Sequence, residues 1–142
     1  RDNSIKKRFK QHNVISKVVR KLSSSGLNNI FIMGDFNSTE YILRNKNYTR
    51  FIQSVKKMNM KDTTKDIACS SYWWGGVNDY TQYPSSLDHI LVSSSTVMKK
   101  SVTSKVYGHC QKLKCRATSE GSMGINFEEV SDHCPVLTEI SL

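Results

Sequence analysis

The sequence predicts a mixed α/β fold of the α+β kind, with helices early and antiparallel strands late. Three observations predict it. Apolar residues recur at three- and four-residue steps in two segments before position 60, apolar and polar residues alternate in later segments, and stretches rich in Gly, Ser, Asn and Asp separate them. A chain of 142 residues suits one domain with a sizeable core. No apolar run approaches the ~18 residues that a membrane-spanning helix needs.

Residues 5–22 form the first predicted helix, with Ile5, Phe9, Ile15, Val18, Val19 and Leu22 on one face. Lys6, Lys7, Arg8, Lys10, Lys17, Arg20 and Lys21 occupy much of the rest, the usual pattern of a solvated face. Ser23, Ser24, Ser25 and Gly26 end it. Asn29 to Met33 is a short apolar run that predicts a buried strand; Gly34 breaks it, and Asp35, Phe36 and Asn37 follow at its carboxyl end. Tyr48, Phe51, Ile52, Val55 and Met58 predict a second helix over 47–59. Cys69 to Trp74 predicts a short aromatic strand, and residues 75–86 a long loop. Leu87 to Ser93 and Val102 to Tyr107 predict two more strands. Residues 108–129, with three glycines and no clear period, predict mostly loop. Pro135 to Ser141 predicts a closing strand, with Val136, Thr138 and Ile140 opposed to Leu137 and Glu139. There is no internal repeat. The helices need a sheet face to cover, and the other face of that sheet needs a cover that this chain would not fully supply.

Lys and Arg outnumber Asp and Glu by 21 to 12, a formal charge of +9. Such a surface attracts polyanions, whether nucleic acid or anionic lipid headgroups; the plainer alternative is a basic protein with no such partner. The four cysteines, Cys69, Cys110, Cys115 and Cys134, match no CxxC zinc spacing. Their even number fits an oxidised, exported protein with one or two bridges, Cys110 facing Cys115 across a short turn, and equally fits four reduced thiols. The first residue is Arg1 and no basic-then-apolar leader follows it, so either a leader has been removed or the chain begins inside a longer reading frame.

Three polar clusters sit at strand boundaries: Gly34-Asp35-Phe36-Asn37, Leu87-Asp88-His89 and Ser131-Asp132-His133-Cys134-Pro135. Strand ends feeding loops are where sites are assembled. Taken singly, each has a structural explanation: a turn, a pairing of Asp88 with a lysine, a loop cap at His133. Together they are hard to explain so, because gathering Asp35, Asp88 and Asp132 in one place costs Coulombic repulsion. A hard divalent cation, Mg²⁺ or Mn²⁺, relieves it with oxygen ligands. Phosphate chemistry supplies a reason: the cation neutralises the phosphoryl oxygens and a His–Asp pair handles protons. Asp35 or Asn37 would orient a water, and an amide suits that task because it both donates and accepts.

The stretch NIFIMGDFNS resembles the strand-GDFN motif of the endonuclease/exonuclease/phosphatase family. SSLDHILV is similar to that family's S-x-(L/I)-D-(H/Y)-I motif, and VSDHCPVLTEI to its terminal SDH-x-P-V strand. The three occur in family order and span nearly the whole chain; Gln11 on the basic helix fits more loosely. The resemblance implies half of a four-layer α/β/β/α sandwich, with helices on one face of a mostly antiparallel sheet. It implies a divalent-metal-dependent phosphodiester hydrolase, with DNA the first substrate to expect. His133 would contact the scissile phosphate as general base or hold transition-state charge, and Asp88 would fix its tautomer. Asp132 would bind the metal; Asp35 and Asn37 would position the attacking water and leaving oxygen or share a second metal. His89 receives no role, since alternation points it away from Asp88. The family's amino-terminal half, with its metal-binding Glu in a Q-E motif, has no counterpart here, so the missing half or a second copy is expected to complete the site. Sphingomyelin or inositol-phosphate hydrolysis on the same core, and a non-catalytic nucleic-acid-binding or toxin-subunit module, are the rival expectations. The aromatic stretch Tyr72-Trp73-Trp74 through Tyr80 and Tyr83 would border the substrate groove.

Overall fold

The computed structural model describes residues 2–37 and 46–141. It is an α+β fold whose strand pairings are all antiparallel among these residues. In chain order the elements are α1 (Asp2–Ser24), β1 (Phe31–Asp35), α2 (Lys46–Lys57), β2 (Met60–Asp62), β3 (Ser71–Gly76), β4 (Asp79–Ser85) and β5 (Asp88–Ser93). There follow α3 (Ser94–Val97), β6 (Val102–Val106), α4 (Gly108–Lys112), β7 (Thr118–Ser119), a 3-10 turn (Glu120–Ser122), α5 (Ile125–Glu129) and β8 (Val136–Ile140). The strands make three small sheets, ordered β1-β5-β2, β3-β4-β7 and β6-β8.

Helix α1 ends as its sequence dictates. Gly26 sits at φ +89°, its N–H bonds to the Ser23 carbonyl, and the Leu27 N–H reaches back to Leu22, closing a Schellman motif. The buried stripe of α1 is Ile15, Val19 and Leu22, continued by His12. Val18, expected on that stripe, is exposed. It lies about 100° from Val19 and about 120° from His12, at the edge of the arc that His12, Ile15, Val19 and Leu22 share. With Phe51 and Val55 from α2, Met58 just after it, Ile30 just before β1, and Met60 and Leu91 from the sheet, α1 closes the first core. Ile32 and Leu91, paired across the strands, both face the helices. Phe31 and Met33 are on the opposite face and are exposed.

The second core is small and sulfur-rich: Cys69, Tyr72, Cys110, Met123 and Cys134. Two disulfides run through it, Cys69–Cys115 and Cys110–Cys134. The expected Cys110–Cys115 pairing is therefore wrong. Cys115 lies beyond the end of α4, in a turn closed by its N–H on the Cys110 carbonyl with left-handed backbone at Lys114 and Cys115, and each sulfur is bonded to a cysteine from a distant segment instead.

Two further expectations fail. Residues 75–86 are not a long loop: they hold the turn and returning strand of a hairpin, β3–β4. The Gly, Asn and Asp signals mark only the turn and the irregularity between Trp74 and Gly76, while Tyr80, Thr81 and Tyr83 are strand formers. Residues 108–129 carry α4, β7, the 3-10 turn and α5, each too short to show a period. Strand β2, three residues long, was invisible for the same reason. No helix among the described residues is long and apolar enough to cross a membrane.

Candidate functional site

Asp35 ends β1 and Asp88 begins β5, and the antiparallel register sets them directly opposite each other. Directly opposed residues share a face of the sheet. It is the face of Met33 and Ile90, away from the helices. His89, one step on, points the other way: it is buried beneath the helices, bonded through Nδ1 to Asp62 at 2.8 Å and packed against Phe36 and Phe51. That separation is the one strand alternation predicts.

His133 lies just before β8. Its Nδ1 is 2.9 Å from Asp88 Oδ2, and both side chains are partly buried. A carboxylate only accepts, so Nδ1 carries the proton and donates, which leaves Nε2 aimed away from Asp88 and without a partner among the described residues. Burial lowers the proton affinity of His133. The hydrogen bond and charge of Asp88, with the charges of Asp132 and Asp35, outweigh it and hold the pKa above the ordinary histidine value. All three aspartates picked out in the sequence thus act on one imidazole. The fourth, smaller piece is Asn37, whose backbone N–H and side-chain amide both donate to the Asp35 carboxylate, the latter at 3.1 Å. Asn37 sits at φ +53°, a left-handed conformation that asparagine tolerates better than most residues.

Sequence reasoning passed over the segment that holds these parts together. The Ser70 hydroxyl accepts the N–H groups of Leu87 and Asp88 at 3.0 and 2.9 Å. The Ser70 carbonyl accepts the Cys134 N–H, Tyr72 donates to the Asp132 carbonyl, and Ser71 bridges His133. Residues 70–72 therefore fix Asp88 on one side and Asp132–His133 on the other. From behind, the Cys110–Cys134 disulfide and His109 brace the same loop. Burial lowers the pKa of His109, against the pull of a hydrogen bond to the Asp132 backbone and of the Asp132 charge. A lone serine pair before an aromatic strand carries no recognisable motif, which is why no signal found it.

A cleft of about 640 Å³ opens between α1 and β1, with Arg8, Lys10 and Gln11 on one wall and Asp35 and Asn37 on the other. It brings basic side chains of α1 toward the first motif.

The carboxylates of Asp35 and Asp132 and the amide oxygen of Asn37 are hard donors of the kind Mg²⁺ and Mn²⁺ prefer. Among the described residues they do not converge into a three-donor cage; the single such group is His109, Cys110 and Cys134, whose sulfurs are joined to each other. A small hard cation commonly takes one or two carboxylates and fills its shell with water and substrate phosphate.

Comparisons with protein-family models, with curated proteins and with solved structures each found no match.

Proposed function

We propose that this chain carries part of the active site of a divalent-metal-dependent phosphodiester hydrolase, with DNA as the first substrate to test. The observation that supports it most is the His133–Asp88 hydrogen bond, set beside Asp35 in cross-strand register and Asp132 in sequence. His133 would use Nε2 toward the phosphate, either taking the proton of the attacking water or stabilising charge on the phosphoryl oxygens. Asp88 would hold the ring in the tautomer that leaves Nε2 available. Asn37, pinned by Asp35, would orient the water. Asp132 and Asp35, with Asn37, would hold Mg²⁺ or Mn²⁺, which when bound would supply positive charge against the phosphoryl oxygens. On this reading the apolar face carrying Phe31 and Met33 meets the second sheet of a four-layer sandwich, supplied by an amino-terminal half of the domain or by a second copy. The two disulfides fit an oxidising compartment.

DNA is favoured by the net charge and by the basic wall of the α1–β1 cleft. A second reading, hydrolysis of a lipid or inositol phosphodiester, is favoured by the aromatic hairpin beside His133, which carries no Lys or Arg. The test is Mg²⁺-dependent cleavage of plasmid DNA by the complete gene product, beside His133→Ala and beside EDTA. Cleavage that disappears in both supports the reading. Absence of cleavage by a folded protein excludes DNA and moves the search to lipid and phosphomonoester substrates; DNA binding that survives EDTA without cleavage favours a non-catalytic module.

A further inference from the structure

The β3–β4 hairpin carries two half-exposed tryptophans and an exposed tyrosine. It starts at the site, where Ser71 bridges His133 and Tyr72 bonds to Asp132. From there it runs outward and exposes Trp73 and Trp74 at 50% each, Tyr80 at 73% and Val77 at 78%. Trp73 and Trp74 are successive strand residues, so they point to opposite faces. The hairpin thus shows apolar side chains on both faces and at its turn. A protein surface or a second sheet covers one face of such a hairpin; a medium that surrounds it covers all three.

Charge points the same way. The chain has 21 Lys and Arg, yet none falls between Lys65 and Lys99. The single charged residue of the hairpin, Asp79, is engaged internally by the Tyr83 hydroxyl at 2.8 Å and the Thr81 N–H at 3.0 Å. Elements that follow a nucleic-acid strand interleave aromatics with cations for the phosphates. This one has aromatics and no cation. Trp and Tyr favour the boundary between water and lipid headgroups, where a ring is half dry and its polar tip wet. The hairpin is also preformed: Trp73 and Tyr83 are in ring contact at 5.3 Å, and a Cβ on Gly75 would come within 2.6 Å of the Asp79 carboxylate, so the strands close tightly.

We propose that the β3–β4 hairpin inserts its tip into the interfacial zone of an anionic phospholipid bilayer, with the basic remainder of the chain drawn to the headgroup charge. Docking so placed sets the site against headgroup phosphodiesters, and that part of the inference rests on the hydrolase reading above; the docking itself does not.

The test exploits the fact that Trp73 and Trp74 are the two tryptophans of this chain. The complete gene product carrying His133→Ala, with any tryptophan outside these residues replaced by Phe, is mixed with vesicles of phosphatidylcholine and phosphatidylserine, with and without bromine on the acyl chains. Docking predicts a blue shift of the emission and quenching by the brominated lipid. Val77→Asp with Tyr80→Ser, at two highly exposed positions, is expected to weaken vesicle partitioning by about tenfold. Val77→Asp alone, made with His133 intact, is expected to keep hydrolysis of soluble bis(p-nitrophenyl) phosphate. Unshifted, unquenched emission overturns the proposal. So does quenching by a single-stranded oligonucleotide in place of vesicles, or vesicle binding unchanged by the tip substitutions. Loss of soluble-diester hydrolysis by the wild-type protein, with docking kept, would count against the hydrolase reading alone.

Discussion

Asp88 and His89 are chain neighbours with unlike surroundings. Asp88 meets His133 at a partly open site; His89 is buried against Asp62, Phe36 and Phe51. Asp88→Asn keeps the shape but offers an amide that can meet Nδ1 in either tautomer, so the proton on His133 is no longer placed. We expect phosphodiester turnover to fall about 10²–10⁴-fold with unchanged stability, read by initial rates and by urea unfolding. His12 is the residue the sequence concealed. A count of apolar residues at helical steps skips a histidine, yet His12 completes the buried stripe of α1 between Phe9, Phe36 and Phe51, and its Nδ1 has no hydrogen-bond partner among the described residues. Burial lowers its pKa, with the charges of Arg8 and His89 adding to the effect. An unfolded chain therefore takes up a proton near the ordinary histidine value that the folded chain resists. This contribution to stability is full above the ordinary value of 6.5 and is lost as pH falls below it toward the depressed folded value. His109, also lowered by burial, has the same sign. His12→Phe should flatten the dependence: denaturant midpoints at about pH 5 and about pH 8 should differ less in the variant than in the parent. An equal difference in both would assign the pH dependence elsewhere.

The long periodic elements were legible: α1, α2, β5 and β8 fall within a few residues of where apolar spacing puts them. Elements shorter than one period were not, because a pattern cannot be read from a strand of three residues or a helix of five. The site divides along the same line. The acids, the histidine and their convergence follow from motifs at strand ends, but the Ser70–Tyr72 segment and the two disulfides do not. Disulfide connectivity depends on which loops fold back, and spacing alone leaves it open. Because Cys134 follows His133, the Cys110–Cys134 bridge should matter to the site as well as to the fold. Replacing both by serine is expected to lower stability by about 2–4 kcal/mol and to reduce turnover. The Cys69–Cys115 bridge closes a longer loop, 46 residues against 24, and ends farther along the chain from His133. Its removal should cost at least as much stability on the loop-closure argument yet less turnover. Urea unfolding and kcat measured on the two double variants separate the cases; unchanged turnover in the Cys110–Cys134 variant would deny that bridge any positioning role.

At the scale of the whole molecule, the helices lie on one side of β1-β5-β2 and the paired acids on the other, where Val92 is also buried. The acid-bearing face is apolar along β1, where Phe31 and Met33 are 49% and 70% exposed. A strand at the edge of a sheet with an apolar outward face is a liability if left to water. The sandwich reading explains it: a second sheet would cover Phe31 and Met33 and stop short of Asp35 and Asp88, which remain at the rim where substrate enters. Met33→Ser distinguishes the arrangements without adding a charge beside the acids. If a second sheet covers this face in the complete gene product, the substitution removes a buried side chain and leaves a hydroxyl to satisfy. Its cost should then be about 2–4 kcal/mol in urea unfolding. If Met33 stands in water, as most exposed positions do, the cost should stay within about 0.5 kcal/mol. The small value would remove the sandwich while leaving the His133–Asp88 pair, and the hydrolase it suggests, to be judged by turnover alone.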